Sequence, residues 1–143
     1  METLERLTRR QVDALQAVRA GQTPERGASL NGIAGRLRLR PPTALGHLTQ
    51  LEELGLIERY RGKSRLTERG RRTIVEYDRH HRIAEGLFDQ LGLSAEDTCR
   101  AAREVDLSLS HKTVERLCEA EGHPARCPHG EAIPPCEDEP ERA

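Results

Sequence analysis

His81 and Glu85 stand four residues apart in the stretch TERGRRTIVEYDRHHRIAEGLFDQL. On a helix that spacing puts an imidazole and a carboxylate on one face, one turn apart. Such a pair either makes a simple hydrogen-bonded contact or chelates a divalent cation such as Fe²⁺, Mn²⁺ or Zn²⁺. Nearer the end of the chain, Cys118, His123, Cys127, His129 and Cys136 fall within nineteen residues. Thiolate and imidazole ligands suit Zn²⁺ or Fe–S chemistry, and an ion there would order a segment rich in Pro and Gly. The spacing is not that of a standard zinc finger. The alternative is that Cys118 packs in a helix and that Cys127-Pro128-His129-Gly130 is a turn. With Cys99 added, the four cysteines also allow a thiol or Fe–S sensor. No activated nucleophile, phosphate loop or pair of acid/base carboxylates stands out, so no enzyme is expected.

The elements that would position these groups begin with a DNA-binding pattern. Leu30, Ile33, Ala34 and Leu37 form the apolar stripe of a short helix, with Ser29 as its N-cap. Pro41-Pro42 stops that helix and suits the first turn of the next, whose stripe is Ala44, Leu45, Leu48 and Leu51. Two short helices with a tight join are a helix-turn-helix. Outside the second stripe lie Thr43, Gly46, His47 and Gln50, small and polar residues able to meet base edges. The stretch from Leu56 to Leu66 reads as a two-stranded wing turning at Gly62-Lys63. Arg38, Arg40, Arg59, Arg61, Lys63 and Arg65 on and around these elements suit phosphate contact. A first helix over residues 1–20 packs behind the motif. The long helix after Thr67 carries Ile74, Tyr77, His81, Ala84 and Phe88 as its stripe. Ser94 caps another helix, on which Cys99 and Asp106 share a face, and a last helix runs from about Lys112 to Ala120.

Charge follows the same division. Residues 1–82 hold 17 Lys and Arg against 10 Asp and Glu, a balance of +7, whereas residues 83–143 hold 6 against 14, a balance of −8. The first part suits a polyanion such as double-stranded DNA. Aromatic residues make up only 2% of the chain, which favours a helical core of Leu, Ile, Val and Ala over a sandwich or barrel. No apolar run approaches the roughly 20 residues needed to span a bilayer and no secretory signal opens the chain, so a cytoplasmic protein with no membrane partner is expected. The expected organisation is mainly α. A winged helix-turn-helix domain (1–72) precedes an all-helical metal-binding and dimerisation domain (73–122), then a Cys/His/Pro-rich tail (123–143) with a disordered end.

Three phrases carry a resemblance. LEELGLIERYRGKSRLTERGRR, HHRIAEGLFDQLGLSAED and GHPARCPHGEAIP resemble parts of the iron- and manganese-dependent repressors of the diphtheria-toxin-repressor type, over residues 8–135. The resemblance implies a homodimeric repressor in which Fe²⁺ or Mn²⁺ fits two recognition helices to a palindromic operator. It also implies a ligand set. His81 and Glu85 match the family's His-x-x-x-Glu pair, Asp13 stands where members place an Asp or Met ligand, and Glu104 matches the Glu of a Glu-His-x-Leu-Ser motif. Asp97 lies near a His ligand of iron-type members. The chain departs from the pattern at Val105, Ala101 and Gln16, where members carry further ligands. Cys99 would substitute if the helix register is shifted by two residues.

Overall fold

The computed structural model describes residues 2–135 and resolves two compact units. The first is Leu7–Ile74. Its helices α2 (Arg9–Gly21), α3 (Leu30–Leu37) and α4 (Pro41–Glu53) pack on one another. They bury Val12, Leu15 and Val18 of α2, Ile33 and Ala34 of α3, and Ala44, Leu48 and Leu51 of α4. The expected first helix is broken, because α1 (Glu2–Glu5) ends before Thr8 opens α2. Thr8 and Gln11 satisfy each other's backbone N–H groups as a capping box, which fixes the start of α2 there. Ser29 caps α3 through Gly32 N at 3.1 Å, and Arg38 closes that helix in the left-handed conformation (φ 54°). Pro41 and Pro42 occupy the first turn of α4, where their missing N–H groups cost nothing.

The wing is β2 (Ile57–Tyr60) and β3 (Lys63–Leu66), paired antiparallel with Ile57 opposite Leu66 and Tyr60 opposite Lys63. Its turn is Arg61-Gly62 rather than Gly62-Lys63. Both residues have positive φ (50° and 75°), as a two-residue hairpin turn requires. A short strand β1 (Ala28–Ser29) adds to the other edge of β3, giving the order β1-β3-β2. Thr67 then ties the wing to the start of α5 (Glu68–Asp89). Its hydroxyl donates to Gly55 O at 2.7 Å and accepts from Gly70 N at 3.0 Å.

The second unit comprises residues 2–6 and 75–135 among those described. It contains α1, most of α5, α6 (Ala95–Val105) and α7 (His111–Ala120). Ser94 and Ser110 cap α6 and α7 through Asp97 N and Thr113 N. The segment after α7, residues 121–135 among those described, has no regular element beyond one antiparallel bridge, Arg126 with Ala132. It nevertheless packs, since Cys127 and Ile133 share a core with Ile83, Val114 and Cys118. Two arginines of α5 hold it down. Arg79 donates to Glu115 at 2.7 Å and to Pro134 O at 3.0 Å, and Arg82 donates to Ala132 O at 2.6 Å and to Glu131 at 2.8 Å. No helix among the described residues is long and apolar enough to cross a membrane.

Candidate metal centre and nucleic-acid interface

On α5, His81 and Glu85 meet as the spacing requires, with His81 Nε2 3.2 Å from Glu85 Oε1. The other face of the imidazole is fixed from α6. His81 Nδ1 lies 2.8 Å from Asp106 Oδ2, which also accepts from the Tyr77 hydroxyl at 2.7 Å. Asp106 is fully buried and follows the last residue of α6. Cys99 Sγ completes the ring's surroundings, 3.5 Å from Nε2. Burial alone would lower the His81 pKa, but hydrogen bonds with Asp106, Glu85 and Cys99 outweigh it and raise it to about 10. Without metal the ring is therefore an imidazolium at neutral pH, donating through both nitrogens. With Nδ1–H held by Asp106, the nitrogen that can give up its proton to an ion is Nε2.

The tail approaches the same carboxylate from the other side. His129 Nδ1 makes a close ion pair with Glu85 Oε2, and Cys127 joins them. Two ligand sets thus share one residue: His81, Glu85 and Cys99 in one, Glu85, Cys127 and His129 in the other. Within each set the ligand atoms lie within 4.8 Å of one another. Glu85 is 3% exposed, and its Oε2 faces the His129 ring nitrogen. A buried carboxylate with an imidazole and a thiol on each side offers the donor set of a cation site. The donor types, thiolate, imidazole and carboxylate, fit Zn²⁺ or Fe²⁺.

Glu104, Asp97 and Cys118 belong to neither set. Glu104 is exposed on α6 and belongs to neither set; the acidic group beside His81 is Asp106, two residues on. Asp97 is exposed, bonded to Arg100 at 3.1 Å. Cys118 is fully buried in the apolar core, 3.6 Å from His123 Nδ1, and is in no ligand cluster among the described residues. Asp13 lies half-buried on α2 in the first unit. Cys136 lies outside the described residues. Asp106 was signalled only by its sharing a face with Cys99.

In the first unit, Thr43, Gly46 and Gln50 are exposed along α4 and His47 is half-buried beside them. Gln50 Oε1 accepts from Gln11 Nε2 at 3.3 Å, which steadies its amide. Arg38, Arg40, Arg61 and Lys63 are exposed, and Arg59 and Arg65 are half-buried on the wing. The Arg61 guanidinium lies over the ring of Tyr60, 5.2 Å from its centroid. Tyr60 is 72% exposed, an aromatic at the wing tip that charge patterning alone does not single out.

Comparison with known proteins covers both units. A family model described as the iron dependent repressor, metal binding and dimerisation domain matches residues 67–135, and one described as the LexA DNA binding domain matches residues 4–66. No curated protein matches the sequence. Among solved structures, a hypothetical protein from Sulfolobus solfataricus is 28% identical, with a TM-score of 0.82 over 90% of this chain and 99% of that one. IdeR of T. acidophilum is 27% identical, with a TM-score of 0.71 over 96% of this chain and 64% of its own. A manganese-dependent transcriptional repressor in complex with manganese is 28% identical, with a TM-score of 0.75 over 89% of this chain. The chain spans 59% of that repressor's length.

Proposed function

We propose that this chain, which belongs to the diphtheria-toxin-repressor type of metal-dependent transcriptional regulators, represses transcription as a homodimer on a palindromic operator when Fe²⁺ fills a centre built around Glu85. The observation that carries this reading is the sharing of Glu85 by two ligand sets, His81 with Cys99 and Cys127 with His129. When bound, the ion supplies a positive charge that draws the two thiolates, two imidazoles and the carboxylate into one arrangement. Two thiolates favour Fe²⁺ or Zn²⁺ over Mn²⁺, which prefers oxygen ligands. Asp106 would keep His81 in the tautomer that offers Nε2, and Arg82 would hold the Cys127 segment in reach. Asp97 and Glu104 are less suited, since they lie outside both sets.

Thr43, His47 and Gln50 would read base edges in the major groove, with Arg38, Arg40, Arg59, Arg61, Lys63 and Arg65 on phosphates. Metal acts only through differential affinity: it favours DNA binding to the extent that it binds the DNA-competent conformer more tightly. The test is anaerobic footprinting of the purified protein on its own promoter region. Two symmetric protected half-sites with Fe²⁺, lost with chelator, are expected; protection that is indifferent to metal would overturn the reading. A thiol-sensing reading is favoured only by Cys99, whose sulfur lies 3.5 Å from His81 Nε2. It requires Cys99→Ser to abolish an oxidant response while His81→Ala and Glu85→Gln leave metal-dependent DNA binding unchanged.

A further inference from the structure

His80 and His81 are neighbours on α5 and project about 100° apart around the helix, so only one of them faces the Glu85 centre. His80 is 1% exposed, and neither of its ring nitrogens makes a hydrogen bond. A buried imidazole with both nitrogens unsatisfied is destabilising unless something else meets them. What faces it is specific. Glu76, one turn back on α5, places Oε1 3.6 Å from His80 Nε2. His111, the first residue of α7, places Nδ1 3.7 Å from the same oxygen. The two imidazoles lie with centroids 6.1 Å apart and planes 29° from parallel.

These separations are too long for hydrogen bonds and fit a different arrangement. Two ligand atoms bound tetrahedrally to one ion, each about 2.1 Å from it, stand about 3.4 Å apart. The three candidate ligand atoms lie within 4.8 Å of one another, so small side-chain adjustments close the set. Charge favours it as well. Glu76 brings a carboxylate, and Glu5 of α1 stands at the rim, accepting from His111 N at 3.1 Å. The nearby cation, Arg79, is already committed to Glu115.

We infer that Glu76, His80 and His111 form a second cation site, free of sulfur, that takes Zn²⁺ with water in the fourth position and pins α7 to α5. It is separate from the Glu85 centre and does not depend on it. Its donors are two nitrogens and one oxygen, whereas both sets at Glu85 include a thiol.

That difference gives the test. Metal-free full-length protein is titrated anaerobically with Co²⁺, a spectroscopic stand-in for Zn²⁺. Thiolate-to-cobalt charge transfer reports the Glu85 centre, and weak d–d bands without charge transfer report the site at His80. Both signals are expected in the unaltered protein. His111→Ala and Glu76→Gln are each expected to remove about one Co²⁺ per chain, or weaken it at least about tenfold, with the charge-transfer signal unchanged. His111 is only partly buried at a helix start, so its variant keeps the fold test independent of Glu76. Full Co²⁺ stoichiometry and unchanged d–d bands in both variants would overturn the inference, as would Co²⁺ in the unaltered protein confined to the thiolate signal. Loss of charge transfer in the unaltered protein would instead count against the Glu85 centre and leave this site standing.

Discussion

Loading the Glu85 centre must displace the proton on His81 Nε2, and this can be measured. The His81 pKa is raised to about 10, because hydrogen bonds with Asp106, Glu85 and Cys99 outweigh the lowering effect of burial. At pH 7 the ring lies about three units below that value, so displacing its proton costs about 10³ in apparent affinity, or ~4 kcal/mol. Affinity for the ion should therefore rise by about a factor of ten per pH unit from His81 alone, up to about pH 10. The cysteine thiols release protons as well, so the slope of the unaltered protein does not isolate His81. Asp106→Asn does, because it removes the charge that holds the Nδ1 proton and returns His81 toward its ordinary range. The assay is calorimetric titration of Zn²⁺ at pH 8 in buffers of different ionisation enthalpy, which counts the protons released. The unaltered protein is expected to release about one more proton per ion than Asp106→Asn. Equal proton release in the two proteins would refute the reasoning.

The same shift governs the metal-free protein. A folded-state pKa raised above the unfolded value means stability that is fully present below about pH 6.5 and lost as the pH climbs through about 10. His80, lowered to about 4 chiefly by burial, works in the opposite sense and withdraws stability as the pH falls from about 6.5 toward 4. Thermal unfolding of chelated protein should be most resistant near neutrality; a midpoint still rising from pH 7 to pH 10 would contradict the His81 assignment. Gly70→Ala should destabilise the first unit by about 3 kcal/mol in urea unfolding, because a Cβ there would run into the backbone carbonyl oxygen of Leu56. Arg82→Ala should weaken metal binding about tenfold by releasing the Cys127 segment, and an unchanged affinity would remove Arg82 from that role. Arg61→Ala should reduce the salt dependence of duplex binding by about one unit of log–log slope without altering sequence preference.

The parts of the fold set by local rules were legible. Pro41-Pro42 and Ser29 marked the two helices of the DNA-binding motif, and the four-residue spacing of His81 and Glu85 put them together on α5. Thr8 with Gln11 is a readable capping box, yet the apolar residues on either side of it look like one continuous stripe, so α1 and α2 read as a single helix. The ligand on the far side of His81 was harder to read. Asp106 lies just past the end of α6, where helical periodicity no longer says which way a side chain points. The approach of Cys127 and His129 to Glu85 depends on a segment without periodicity, held by Arg79 and Arg82 from forty or more residues away. His80 shows the same limit, because the apolar stripe through Tyr77, His81 and Ala84 does not include it, whereas His111 of α7 packs beside it.

Duplex binding measured by fluorescence anisotropy, with and without Fe²⁺ under anaerobic conditions, on the unaltered protein and on Glu85→Gln, tests the central claim most directly. Coupling of about 1–3 kcal/mol corresponds to a metal-dependent gain of about 5- to 150-fold in affinity for the unaltered protein. Glu85→Gln, lacking the carboxylate that both ligand sets share, should bind DNA like the metal-free protein whether or not Fe²⁺ is present. An equal gain in the two proteins, or none in either, would contradict the claim that a metal at Glu85 controls DNA binding.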